Sequence, residues 1–133
     1  MSDEQLRLVH LVDDDEAIRR SVGFMLKTSG FTVRTYESGI ELMKAASDLE
    51  TGCILLDIRM PGMDGLEVQK ALRDKGVGLP VIIMTGHGDV SLAVQAMKAG
   101  AVDFIEKPFE KAVLLSAIEH SMERLKRSAA NQD

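Results

Sequence analysis

The sequence predicts an α/β protein: a (βα)5, doubly wound, five-stranded parallel sheet. Short apolar runs of strand length alternate along the chain with longer segments whose apolar residues recur at helical spacing. Several runs are apolar throughout, which is typical of strands covered on both faces by crossover helices. The length of 133 residues suits one compact domain.

The first half of the chain contains two strand–helix units. The apolar-rich residues 6–12 end abruptly in four acidic residues, which indicates a strand followed by the start of a helix, and Gly30 is a natural stop for that helix. Residues 31–36 are rich in β-forming side chains and predict a second strand. Ser38 can cap the second helix, whose apolar residues are Ile40, Leu42, Met43 and Ala46.

The second half contains three further units. Residues 53–56 and 81–84 are continuous apolar runs and predict buried strands, and residues 102–105 predict the fifth strand. Their helices carry apolar stripes at Leu66, Val68, Ala71 and Leu72; at Val90, Ala93, Val94 and Met97; and at Val113, Leu114, Ala117, Ile118 and Leu125. We expect a single domain over residues 1–127, with residues 128–133 as a polar tail or the start of a linker.

Composition excludes several classes of function. With 16 basic and 21 acidic residues the net charge is −5, which argues against nucleic-acid binding by this chain. The chain lacks an apolar run long enough to cross a bilayer and a signal pattern, so we expect a cytoplasmic protein without a membrane partner. Cys53 lies in an apolar run and is expected to be a buried thiol. His10 is expected to be a hydrogen-bonded strand histidine, because the histidines are too widely spaced for a local zinc motif.

Polar residues follow four of the five predicted strands. In an open parallel sheet, ligands bind beyond the carboxyl ends of the strands, where the strand order reverses. Those ends carry Asp13 and Asp14, Asp57, Thr85 and Lys107, whereas the second strand ends in Tyr36. If the second strand lies at an edge, the order 2-1-3-4-5 brings the other four ends together.

The chemistry of these residues indicates phosphoryl transfer. Three carboxylates at one place raise each other's pKa or require a cation, and oxygen ligands suit Mg²⁺, with Mn²⁺ as a substitute. Thr85 and Lys107 offer donors to an anion, and a carboxylate can itself be the nucleophile and form an acyl phosphate. We assign the nucleophile to Asp57, which stands alone at the end of the central strand, and metal binding to the pair Asp13 and Asp14.

Four motifs in this order resemble the receiver domain of bacterial two-component response regulators, over residues 6–125. They are Val12-Asp13-Asp14, the segment Leu56-Asp57-Ile58-Arg59-Met60-Pro61-Gly62-Met63-Asp64-Gly65, Thr85-Gly86 and Lys107-Pro108. Residues 83–90 and 96–109 are most similar to the FixJ-type branch, whose members regulate transcription. The resemblance implies the flavodoxin-like or CheY-like fold.

The resemblance also implies residue roles. Asp57 would accept a phosphoryl group from a sensor histidine kinase, and Thr85 and Lys107 would contact the phosphoryl oxygens. Mg²⁺ would be held by Asp14, Asp57 and the backbone carbonyl of Arg59, with Asp13 acting mainly through water. The domain would be a phosphorylation-dependent switch that assists its own phosphorylation and dephosphorylation, and not an enzyme with a separate substrate.

The resemblance further implies a conformational change on phosphorylation. Thr85 would move towards the phosphoryl group while an aromatic residue of the fifth strand turns inward; that residue here is Phe104, which lacks the hydroxyl of the commoner tyrosine. The peptide bond between Lys107 and Pro108 is expected to be cis. The face formed by the fourth helix, fifth strand and fifth helix would be the output surface and the interface of a phosphorylation-dependent homodimer.

Other functions fit the sequence less well. A phosphatase of the haloacid-dehalogenase type needs a second carboxylate two residues after the nucleophile, where this chain has Arg59. A flavin mononucleotide carrier needs a Ser/Thr/Gly-rich loop after the first strand, where this chain is acidic. Within the receiver class, two outputs stay open. One is transcription through a DNA-binding domain outside this chain. The other is a natural single-domain receiver that acts by protein contact or as a phosphate sink.

Overall fold

The computed structural model describes residues 7–130. Its five strands are β1 Leu8–Val12, β2 Thr32–Tyr36, β3 Cys53–Asp57, β4 Val81–Thr85 and β5 Asp103–Glu106. Its five α-helices are α1 Glu16–Thr28, α2 Gly39–Lys44, α3 Gly65–Asp74, α4 Val90–Lys98 and α5 Lys111–Ala130, with a short 3₁₀ helix at Ala46–Asp48 after α2. The predicted alternation of strand and helix is confirmed.

All strand pairs are parallel, and the order across the sheet is β2-β1-β3-β4-β5. The order therefore reverses between β1 and β3, as predicted. β1 and β3 are buried along their whole length, whereas β2 is largely exposed because it lies at an edge of the sheet. No helix in residues 7–130 combines the length and the apolar character needed to cross a membrane.

Two apolar layers cover the sheet. In β3, Cys53 and Leu55 point to one face and pack with α1 and α5, while Ile54 and Leu56 point to the other and pack with α2, α3 and α4. This alternation follows from the two-residue period of a strand, and it explains why the run had to be apolar throughout. The expectation of a buried thiol at Cys53 is confirmed.

Side-chain caps fix where the first three helices begin. Asp15, Ser38 and Asp64 each accept a hydrogen bond from a backbone N–H in the first turn of the helix that follows. At α3 the cap is a reciprocal capping box between Asp64 and Glu67. The predicted cap at Ser38 is confirmed.

His10 is a buried strand histidine with both ring nitrogens hydrogen-bonded, as expected. Its Nε2 donates to the Glu50 carbonyl at 2.9 Å, so its Nδ1 accepts from the Tyr36 hydroxyl, also at 2.9 Å. Burial lowers the pKa of His10, although the Glu50 carbonyl opposes this effect. The neutral ring therefore ties β1 to β2 and to the segment before β3.

The expected apolar stripe of α4 was wrong in part. Ala93 and Ala96 are the helix residues that are buried against the sheet, while Val90, Val94 and Met97 are 66%, 46% and 38% exposed. Alanines three positions apart let the helix lie close to the sheet, and the larger residues at i, i+4 and i+7 form a separate face. Ile40 and Val113, also assigned to apolar stripes, are exposed as well.

The last helix extends further than the sequence indicated. α5 ends at Ala130, so residues 128–130, which we expected in a tail or linker start, are helical. Residues 131–133, the remainder of that segment, lie outside the described residues.

Candidate functional site

Four strands end at one edge of the sheet beside the candidate residues. Asp13 follows β1, Asp57 ends β3, Thr85 ends β4 and Lys107 follows β5. The register pairs Asp57 with the residue before Thr85, and Thr85 with the residue before Lys107. The Lys107 N–H also donates to the Thr85 carbonyl at 2.7 Å. The sheet therefore brings together residues that are up to 94 positions apart in sequence.

The three candidate carboxylates form a cluster. Asp13, Asp14 and Asp57 each offer an oxygen within 4.8 Å of the others. Asp13 is fully buried and Asp57 is 6% exposed, whereas Asp14 is exposed. The N–H of Asp15 donates to Asp13 Oδ1 at 2.9 Å, which fixes the buried carboxylate in place.

Lys107 is the cation of this cluster. Its Nζ donates to Asp13 Oδ2 at 2.8 Å and lies 3.5 Å from Asp57 Oδ2. The peptide bond between Lys107 and Pro108 is cis. Burial acts to lower the pKa of Lys107, but the hydrogen bond to Asp13 and the negative charges of Asp57 and Asp13 outweigh it and raise the pKa. The ammonium group therefore stays charged between the two buried carboxylates.

Asp57 has an unusual protonation equilibrium. Burial, followed by repulsion from Asp13, raises its pKa to about 7, although Lys107 and the Arg59 N–H act in the opposite direction. The Arg59 N–H donates to Asp57 Oδ1 at 3.3 Å. Burial therefore disfavours the ionised form of Asp57 relative to a carboxylate in water, and a cation bound beside it would offset this cost.

The loop after Asp57 folds back on the strand end. A Cβ at Gly65 would lie 2.8 Å from the Asp57 carbonyl oxygen, a distance too short for any side chain. Gly62 has φ +82°, which glycine adopts without strain. The two glycines allow the loop to run close to Asp57 before α3 begins.

Thr85 and Phe104 occupy positions that link the site to the surface. Thr85 is buried, and its hydroxyl donates to the Ile105 carbonyl of β5 at 3.4 Å. Phe104, on β5, is 46% exposed and so is turned outward. An inward orientation of the aromatic ring, which the resemblance allows for an activated domain, is not the one seen.

Arg59 and Asp89 form a pair that sequence reasoning missed. Arg59 Nε and Nη2 donate to the two carboxylate oxygens of Asp89 at 2.9 and 2.8 Å. The residues are 30 positions apart, and local spacing carries no signal for such a contact. The pair bridges the loop after β3 and the loop after β4.

The cluster fits a hard divalent cation. It consists of carboxylate oxygens without histidine or cysteine ligands, which suits Mg²⁺ or Mn²⁺ better than zinc. Lys107 neutralises one of the three negative charges and leaves a net negative site. The predicted carboxylate ligands therefore lie where one ion could contact all of them.

Comparison with known proteins identifies the family. Residues 9–119 match the response regulator receiver domain. The chain belongs to this family. The resemblance drawn from the sequence motifs is thereby confirmed. The receiver domain is 48% identical over 125 residues to FixJ of Rhizobium meliloti, a transcriptional regulatory protein, covering 94% of this chain and 61% of that protein. It is 44% identical over 130 residues to DctR of Rhodobacter capsulatus, a C4-dicarboxylate transport transcriptional regulatory protein, covering 93% and 66%.

Solved structures share the fold of this receiver domain. The crystal structure of FixJ-N has a TM-score of 0.86 at 49% sequence identity, covering 90% of this chain and 95% of that one. Full-length FixJ from B. japonicum has a TM-score of 0.88 at 43% identity, covering 92% of this chain and 61% of that one. The receiver domain spans about 60% of the length of the FixJ proteins it matches.

Proposed function

We propose that this receiver domain is a phosphorylation-operated switch in which Asp57 is the phosphoacceptor. The observation that carries the proposal is the placement of Asp57, a carboxylate with a raised pKa, within reach of Lys107 and two further carboxylates. A sensor histidine kinase is the donor that membership of the family supports. In the transfer, a carboxylate oxygen of Asp57 bonds to phosphorus as the bond from phosphorus to the donor's histidine nitrogen breaks, which gives an acyl phosphate.

The other residues of the site have separate roles in binding the phosphoryl group and the metal ion. Lys107, at hydrogen-bond distance from Asp13 and close to Asp57, can donate to a phosphoryl oxygen while staying charged. The Thr85 hydroxyl can turn from the Ile105 carbonyl, which it contacts at 3.4 Å, towards the phosphoryl group. Asp14, Asp57 and the Arg59 backbone carbonyl would hold Mg²⁺, with Asp13 acting mainly through water, and the bound ion would supply positive charge to the phosphoryl oxygens.

The test is the intact mass of the protein after incubation with acetyl phosphate, with and without Mg²⁺. Here the Asp57 carboxylate displaces acetate from phosphorus, so we expect one added phosphoryl group that requires Mg²⁺. Asp57→Asn should show no adduct, whereas Asp74→Asn, which changes an exposed aspartate at the end of α3, should be labelled like the wild type. Equal labelling of the Asp57→Asn protein would refute the assignment.

The output of the switch is proposed to be transcription through a DNA-binding domain outside this chain. Support comes from the relatives, which are named as transcriptional regulators and are longer than this receiver domain. A natural single-domain receiver that acts by protein contact or as a phosphate sink is the alternative output. Gel-shift measurements on the full reading frame separate the two, since only the first gives phosphorylation-dependent DNA binding.

We propose further that phosphorylation creates a homodimer through the α4–β5–α5 face. This face carries the exposed apolar residues Val90, Val94, Met97, Phe104 and Val113. The support is their contiguity on three neighbouring elements, because solvent-exposed apolar residues that cluster often mark an interaction surface.

Substituting Val94 with aspartate should weaken that dimer. A charge at the centre of the face would have to be buried on association, so we expect the dimer dissociation constant to rise by about 10-fold, or ~1.4 kcal/mol. Analytical ultracentrifugation with beryllium fluoride and Mg²⁺ measures it. Phe24→Asp is the matched control, because Phe24 is 69% exposed on α1, away from this face. Loss of the dimer in the control and not in Val94→Asp would place the interface elsewhere.

A further inference from the structure

The ion pair between Arg59 and Asp89 joins the two loops that surround the acceptor site. Both donors of the guanidinium edge are used, at 2.9 and 2.8 Å, so the pair is bidentate. The Asp89 side chain is only 12% exposed, whereas that of Arg59 is 69% exposed. Bidentate pairing fixes the relative orientation of the two groups as well as attracting them. The pair therefore constrains the loop that leads from β4 into α4.

Each end of the pair is close to a functional element. Arg59 lies two residues after Asp57, and its backbone N–H donates to the Asp57 carboxylate at 3.3 Å. Asp89 lies four residues after Thr85 and immediately before α4. Between Thr85 and Asp89, Gly88 has φ +89°, a conformation that glycine adopts without strain. The pair is thus a direct connection from the acceptor to the first turn of the α4–β5–α5 face.

The Asp89 carboxylate does not cap α4, although Asp89 is the N-cap residue of this helix. Aspartate is among the preferred residues at that position. The caps of α1, α2 and α3 all accept a backbone N–H, but the Asp89 side chain makes no capping hydrogen bond. Arg59 is the main cause of the lowered pKa of Asp89, and the Gly86 N–H acts in the same direction. The Asp89 carboxylate is therefore bound by donors of the two loops and not by the first turn of α4.

We infer that the Arg59–Asp89 pair is a latch that holds the loop before α4 in the unphosphorylated conformation, and that a phosphoryl group on Asp57 opens it by competing for the Arg59 guanidinium. This inference rests on the proposed function of Asp57. A guanidinium binds phosphate oxygens as well as it binds a carboxylate, and a phosphoryl group carries more negative charge than Asp89. Once released, Asp89 is free to cap α4, so the first turn of α4, including Val90, changes its surroundings.

The latch makes a specific thermodynamic prediction. If Asp89 competes with the phosphoryl group, removing its charge must favour the phosphorylated state, because the competing contact in the unphosphorylated state is lost. A merely structural ion pair would have a different effect: its loss would lower stability and leave the affinity for a phosphoryl analogue unchanged. Binding of beryllium fluoride, an analogue that needs no covalent transfer, separates the two cases.

The experiment is a titration with beryllium fluoride in the presence of Mg²⁺, followed by NMR of the backbone amides of α4. We expect Asp89→Asn to bind about 3–10-fold more tightly than the wild type. In an Arg59→Gln background, the same Asp89→Asn change should alter the affinity by less than about 2-fold, because the pair is already broken. Asp89→Ser, which can still cap α4 but has no charge, should behave like Asp89→Asn and serves as a second variant.

Glu50→Gln is the matched control, because it breaks another arginine–carboxylate bridge between separate segments, Arg34–Glu50, at the β2 edge of the sheet. It should leave beryllium fluoride affinity unchanged. Unchanged or weaker binding by Asp89→Asn and Asp89→Ser overturns the latch, as does an undiminished gain in the Arg59→Gln background. Failure of the wild type to bind the analogue, together with an absence of labelling by acetyl phosphate, would instead count against the role of Asp57.

Discussion

Replacing Lys107 with methionine should slow phosphoryl uptake from acetyl phosphate by about 100-fold, the usual effect of removing one donor that stabilises developing charge. The ammonium group donates to Asp13 at 2.8 Å and lies 3.5 Å from Asp57 Oδ2. Methionine keeps the length of the side chain but cannot donate a hydrogen bond. The initial rate of labelling, followed by intact mass at saturating Mg²⁺, measures the effect.

A second readout distinguishes loss of the donor from loss of the fold. Because Lys107 repels a cation, its removal should tighten Mg²⁺ binding even though labelling becomes slower. Lys111→Met, which changes an exposed lysine at the start of α5, should alter neither quantity. A Lys107→Met protein that is labelled at the wild-type rate would show that the lysine has no part in the transfer.

Replacing Asp57 with asparagine should stabilise the metal-free protein although it abolishes phosphoryl uptake. The folded-state pKa of Asp57 is raised from 3.8 to about 7, so the ionised form disfavours the fold. The protonated form of Asp57 carries no such penalty. Between about pH 4 and pH 7 the folded state therefore binds more protons than the unfolded state. Wild-type stability is consequently lost as the pH rises from about 4 to about 7.

Asparagine resembles the protonated acid, so the Asp57→Asn protein escapes this loss. We expect its advantage in free energy of unfolding to grow between pH 4 and pH 7 and to level off above it at about 2–4 kcal/mol. Urea unfolding at several pH values, in the presence of a chelator, measures the advantage. Asp74→Asn should stay within about 0.5 kcal/mol of the wild type at every pH. An advantage that does not change with pH would contradict a raised pKa.

Much of the fold follows from local patterns. Residues 53–56 and 81–84 had to be buried strands because an apolar run of that length has no exposed face. The strand order was predicted from the polar residues, because placing the strand that ends in Tyr36 at an edge brings the other four strand ends together. The same reasoning brought Asp13, Asp57 and Lys107 together, because the ends of parallel strands meet at one edge.

Two kinds of feature could not be predicted from the sequence: which of several apolar residues on one helix is buried, and which residues distant in sequence are in contact. In α4, both the alanines and the larger apolar residues recur at helical spacing, and only packing against the sheet decides that Ala93 and Ala96 are buried and Val94 is exposed. Arg59 and Asp89 meet because two loops converge, which no local spacing records. The side-chain orientation of Phe104 is likewise a property of the folded surface.

The most direct measurement is the location of the phosphoryl group within the chain. After labelling with acetyl phosphate and Mg²⁺, borohydride reduction converts the phosphorylated aspartate to homoserine, and tandem mass spectrometry of the peptides identifies the residue. We expect the change at Asp57 and an unchanged side chain at Asp13 and Asp14, which lie within 4.8 Å of it. Homoserine at either of those two positions, or at an aspartate outside the cluster, would contradict the assignment of Asp57 as the phosphoacceptor.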